Sequence, residues 1–218
     1  RYASLDPVSA NSAADGKNSG WLVLPGTYSV SLTKRIAGVE TVIAGPVQFV
    51  CKPLGTPSIP TADRSGLVAF QNKGAELQRV VYATNNYVND LRSKLTAVKA
   101  ALMQSRAATG TLAAQVRQLD ARLLAVKRAF SGDEVLARRG ESPSPGILAR
   151  LNSMTESFYS STADVTETQK KAYRIASEEF GVQYAEVKTI AEKELPSLYQ
   201  QLEQLGAPVI PGRLPEWK

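Results

Sequence analysis

Histidine is missing from all 218 residues, which removes the side chain most used for proton transfer near neutral pH and for binding zinc, copper or iron. The single cysteine, Cys51, excludes an internal disulfide and a Cys-rich metal site, and leaves the redox compartment open. No glycine-rich phosphate loop, no Gly-x-Ser-x-Gly elbow and no Asp-rich calcium loop is present, and no uninterrupted apolar run is long enough to span a bilayer. The net charge of +6 comes from basic residues dispersed among Glu and Asp, without a basic stripe or interleaved aromatics. Nucleic-acid binding and membrane insertion are therefore not expected. The chain begins at Arg1, which reads as a processed product or a piece of a longer protein.

What is present is a ladder of apolar residues climbing in threes and fours. Its rungs are Leu67, Phe70, Gly74, Leu77, Val81, Thr84, Val88, Leu91, Leu95, Val98 and Leu102. Such a stripe keeps one side of a long helix dry and requires partner helices to cover it. Asp63 or Ser65 can cap this helix, which should run to about Ser105. A second helix carries Leu112, Val116, Leu119, Leu123, Val126 and Phe130. A third, from about Pro145 to Ser160, shows Leu148, Leu151, Thr155 and Phe158. The fourth, from near Thr166 to Leu205, lines its inner face with Tyr173, Ala176, Phe180, Tyr184, Val187, Ala191, Leu195, Leu198, Leu202 and Leu205. Pro196 inside it should bend the axis or loosen a turn.

Ahead of the helices, Gly26 to Thr33 alternates strictly, placing Tyr28, Val30 and Leu32 on one face. Ala37-Gly38 supplies a reversal, and Val47, Phe49 and Cys51 share a face of the next run, where Pro46 marks an edge or a bulge. Cys51 reads as a small buried hydrophobe on that face. Two or three strands cannot close a sandwich, so this piece is either the end of a larger β domain or a flap on the helices, and we favour the first.

The predicted architecture is α+β and mostly α: a β segment over residues 1–52, a Pro-rich linker over 53–62, a helical bundle over 63–206 and a Pro-rich tail over 207–218. Two long and two short helices joined by short connections predict an antiparallel up-down-up-down four-helix bundle. The short pair would cover the far half of the long pair, leaving a two-helix stalk pointing at the β segment. Trp217 is then expected to return and pack on that segment.

Candidate chemistry is sparse. The carboxylate pairs Asp133-Glu134 and Glu178-Glu179 read as a cap and a solvated helix face, because adjacent helical residues point about 100° apart. Arg138 and Arg139, in a Gly/Pro-flanked loop expected at the bundle tip, are with Trp217 the candidate partner contacts. No catalytic, metal or cofactor residue is assigned.

Three stretches carry a resemblance. Trp21-Leu22-Val23-Leu24-Pro25-Gly26-Thr27-Tyr28-Ser29-Val30-Ser31-Leu32 resembles a strand that closes an Ig-like domain, and Gly45-Pro46-Val47-Gln48-Phe49-Val50-Cys51-Lys52-Pro53 resembles its final strand. Ser144 to Asn152 resembles the turn into a third helix, and the ending Leu214-Pro215-Glu216-Trp217 also fits. Together they are similar to the C-terminal region of exported bacterial proteins with a sortilin-like or sialidase-like β-propeller, often labelled glycosyl hydrolases. Cys51 and Lys52-Pro53 depart from that pattern, where a polar residue and Asp-Pro are usual. The resemblance implies an extracytoplasmic, non-catalytic module docking to the propeller or to a surface assembly. The alternative it implies is the accessory end of a carbohydrate-active enzyme whose site lies upstream.

Overall fold

The computed structural model describes residues 20–53, 61–105, 110–159 and 161–210, and within them the protein is mostly helical with one small antiparallel sheet. Strands β1 (Gly26–Ile36) and β2 (Val39–Cys51) form a hairpin closed by Ala37 and Gly38, both at positive φ, as a tight two-residue reversal requires. Register runs from Ile36↔Val39 to Gly26↔Cys51 and slips twice, between Val30 and Thr33. The slip opposite Gly45 and Pro46 is the bulge that the proline predicts.

Helix α1 (Arg64–Gln104) is 41 residues, about 60 Å long. Asp63 caps it by accepting from the Gly66 amide, which also holds its carboxyl below the usual carboxylate range. The expected stripe is the buried one: Leu67, Gly74, Val81, Thr84, Val88, Leu91, Leu95, Val98 and Leu102 all lie inside. Its two non-apolar rungs have local reasons. A side chain at Gly74 would meet Met154 Cε at 2.9 Å, and the Thr84 hydroxyl donates to the Val80 carbonyl at 2.8 Å.

Three segments follow: α2 (Gly110–Ser131), the short α3 (Glu134–Arg138) and α4 (Ile147–Thr155), the last ending in a 3-10 turn over Glu156–Tyr159. Then α5 (Glu167–Thr189) passes through a π-turn (Ile190–Glu194) into α6 (Leu195–Gln204).

The up-down-up-down arrangement is not what these helices form. Descending α1, Lys99 meets Asp120, Asn85 meets Lys127, Tyr82 meets Asn152, and Phe70 meets Phe158. Partner numbers rise without a break as α1 numbers fall, so α2 and α4 both run antiparallel to α1, one after the other. The other long rod repeats the order: Glu194 and Glu186 meet Arg122, Phe180 meets Phe130, Glu179 meets Arg150, and Gln169 reaches Met154 and Ser157. The body is therefore three rods, up-down-up, and the middle rod is interrupted between Gly132 and Gly146. No two-helix stalk remains, because α4 covers the half that the four-helix reading left bare.

The last rod also departs from its expected inner face. Ile190 rather than Ala191 is buried, Tyr184 is exposed, and the next buried residue is Leu195. That step of five is the π-turn, in which the Leu195 amide donates to the Ile190 carbonyl. Pro196 follows immediately, where its ring would crowd the Glu192 carbonyl of a regular helix, so the loosened turn falls where the proline predicts.

Candidate interaction surfaces

The hairpin has an apolar face that no other described residue covers. Cα pairing places Tyr28, Val30, Leu32 and Ile36 opposite Phe49, Val47, Ala44 and Val39, with Tyr28 and Phe49 stacked at 6.0 Å. Thr27, Ser29, Thr33 and Arg35 fall on the other face with Val50, Gln48, Val42 and Glu40. Alternation of this kind is made for one dry face and one wet face. Yet Val30, Leu32, Ile36, Val39 and Val47 are all 56–67% exposed and Phe49 is 49% exposed. Cys51, half-buried at the base of this face, is less enclosed than expected.

Among the described residues, Trp21, just before β1, ties the start of the hairpin to the helices. It is 5% exposed and meets Phe158 edge-on at 6.3 Å; Phe158 in turn meets Phe70, which meets Tyr173. Sequence reading placed Trp21 in a strand motif and missed this anchoring role. At the same end of the body, Asp164 accepts from the Ala62 and Asp63 amides, tying the starts of α1 and α5 together. The segment Gly206–Ile210 leaves from the opposite end, where Gln201 lies beside Gln115. Trp217, and the expectation that it packs on the hairpin, lie outside the described residues.

Arg138 and Arg139 are exposed, but at mid-body rather than at a tip, because the loop that carries them interrupts the middle rod. Arg138 faces Glu134 at 4.0 Å, and Asp133 caps α3 by accepting from Val135 and Leu136. Glu178 and Glu179 pair with different arginines, Arg174 and Arg150. Beneath α3 lies a groove of about 510 Å³, lined by Arg128, Leu136, Pro143, Pro145, Arg150 and Val182 among others.

The strongest charge cluster joins α2 to the last rod. Arg122 donates through Nε to Glu186 at 2.6 Å and through Nη1 to Glu194 at 2.7 Å, and these two bonds hold its proton more firmly than in a free arginine. Glu186 and Glu194 are eight residues apart, about 80° off on a regular helix. The wider π-turn between them takes up part of that offset, and one guanidinium then reaches both. Among the described residues no group of three or more His, Cys, Asp or Glu could hold a metal, and no helix is long and apolar enough to cross a membrane.

No family model, curated protein or solved structure matches this chain.

Proposed function

We propose that this chain is a non-catalytic structural and interaction module, the C-terminal part of a larger exported protein, in which neighbouring β-structure covers the hairpin. The observation that carries this reading is the uncovered face. Six large apolar side chains, about half to two-thirds exposed, lie on one face of a two-stranded sheet, interrupted there by the Lys34–Thr41 pair, and the other face is mainly polar apart from Val42 and Val50. Covering them is worth on the order of 5–10 kcal/mol, more than an isolated hairpin can forgo cheaply. The resemblance of both strands to the closing strands of an Ig-like domain supports further strands as the cover. It also supports a propeller or cell-surface assembly as the protein docked against, and an extracytoplasmic address.

In this reading the three rods are a rigid spacer and Trp21 is the joint that sets how the β layer stands on them. Hydrogen exchange tests it directly. Amides of Gly26–Cys51 should exchange quickly in the isolated chain and be protected at least a hundredfold in a longer product of the same gene that includes the preceding segment. Equal protection in both would defeat the proposal, and so would turnover of a glycoside by the isolated chain.

A further inference from the structure

One charge stands on the dry face of the hairpin. Lys34 pairs there with Thr41, between Leu32 and Ile36 along β1 and diagonal to Val39 of β2. It is exposed, and among the described residues it makes no ion pair or hydrogen bond. Arg35, the next residue, falls on the other face and is matched across the strands by Glu40 at 3.8 Å. Glu40 is the only carboxylate in Gly26–Cys51, so the dry face itself holds nothing that could answer the Lys34 ammonium.

Any layer that buries both Leu32 and Ile36, now 60% and 66% exposed, must pass over Lys34. A purely apolar layer would strip water from the ammonium and give nothing in return, a cost that offsets much of the gain from the apolar contacts. A second copy of this chain fails for the same reason. Packed face to face, it brings another Lys34 and no carboxylate. A charge pointing inward on a strand with a free edge is also a device that keeps such strands from pairing with one another. A layer with one carboxylate set among apolar side chains meets both demands. The ammonium is paired once it is covered, and a cover without the carboxylate is rejected.

We propose that Lys34 selects what docks on the hairpin: a protein β layer, apolar except for a carboxylate set opposite the Lys34 ammonium. This rests on the reading of the hairpin as a docking face and adds the chemistry of its cover. The test is hydrogen exchange over Gly26–Cys51 in the longer product of the same gene, comparing Lys34→Met, Lys34→Glu and Arg35→Met with the parent. Lys34→Met should lower protection about tenfold or more, because it leaves the partner carboxylate covered without its cation. Lys34→Glu should bring protection down to the level of the isolated chain. Arg35→Met removes the same charge from the wet face and should leave protection within about twofold of the parent; a loss equal to that of Lys34→Met would make net charge the cause and overturn the role of Lys34. Protection unchanged or raised by Lys34→Met would overturn the carboxylate while leaving the docking in place, since losing an unanswered ammonium favours an apolar cover. No protection in the parent's longer product would overturn the docking reading and this one with it. Protection of the hairpin in the isolated chain, on dimerising or on adding phosphatidylglycerol vesicles, would make a second copy or a lipid surface the cover and overturn the proposal.

Discussion

Replacing Phe158 with alanine should unfasten the hairpin from the helices while also opening the core. The ring is 1% exposed, meets Trp21 at 6.3 Å and Phe70 at 6.0 Å, and lies 3.5 Å from where a Gly74 side chain would begin. A fully buried Phe→Ala change costs about 3–5 kcal/mol, because the cavity relaxes only in part. At about 2–4 °C per kcal/mol for a chain of this size, the midpoint should fall by roughly 6–20 °C. Trp21 supplies a second, local readout. In a Trp217→Phe background it is the sole tryptophan, and its emission should be blue in the parent and shift red in Phe158→Ala before any thermal unfolding. Phe158→Leu, which keeps most of the volume, should retain most of the midpoint and the blue emission. A red-emitting Trp21 in the parent, or an emission indifferent to Phe158→Ala, would refute the anchoring role even if the midpoint fell as expected.

Three further outcomes are expected. Arg122→Met should destabilise the protein by about 1–3 kcal/mol in thermal melts, because two half-buried carboxylates lose their shared donor; a double-mutant cycle with Glu194→Gln should show coupling, and strict additivity would argue against the clamp. Gly146→Ala should cost about 1–3 kcal/mol by chemical denaturation, since its new carbon meets backbone of Gly132 and Phe130 rather than a side chain that can turn away, and an unchanged midpoint would count against that close approach. Asp63, whose pKa is lowered by the Gly66 amide and then by Ser65, stabilises α1 above the unfolded carboxylate pKa and loses that contribution as pH falls through the lower folded value. Asp63→Ala should therefore melt lower than the parent at neutral pH and approach it in acid, and a pH-independent gap would count against the cap.

Much of this molecule was legible residue by residue. The α1 stripe, the Asp63 and Asp133 caps, the Ala37-Gly38 reversal and the bulge at Pro46 all follow from local rules: periodicity, a side-chain oxygen placed for free amides, and a missing donor. Trp21 was harder, because one tryptophan beside a strand looks alike whether it joins the sheet or leaves it for the helices. The step from Ile190 to Leu195 was readable in principle, as a five where threes and fours were due, but Ala191 offered a four and hid it.

Sequence alone determined which side of α1, α2 and α4 is dry, whereas in the last rod the π-turn shifted it. Periodicity decides that, since a residue's angle about its own helix depends only on its number. Which rod covers which side was decided only in three dimensions. An interruption of two heptads, residues 133–146, returns the chain to the same angle, so an interrupted rod and two neighbouring rods carry the same pattern of apolar residues. Contacts from Lys99 down to Phe70 separate the two, because only packing records where along a partner each turn comes to rest.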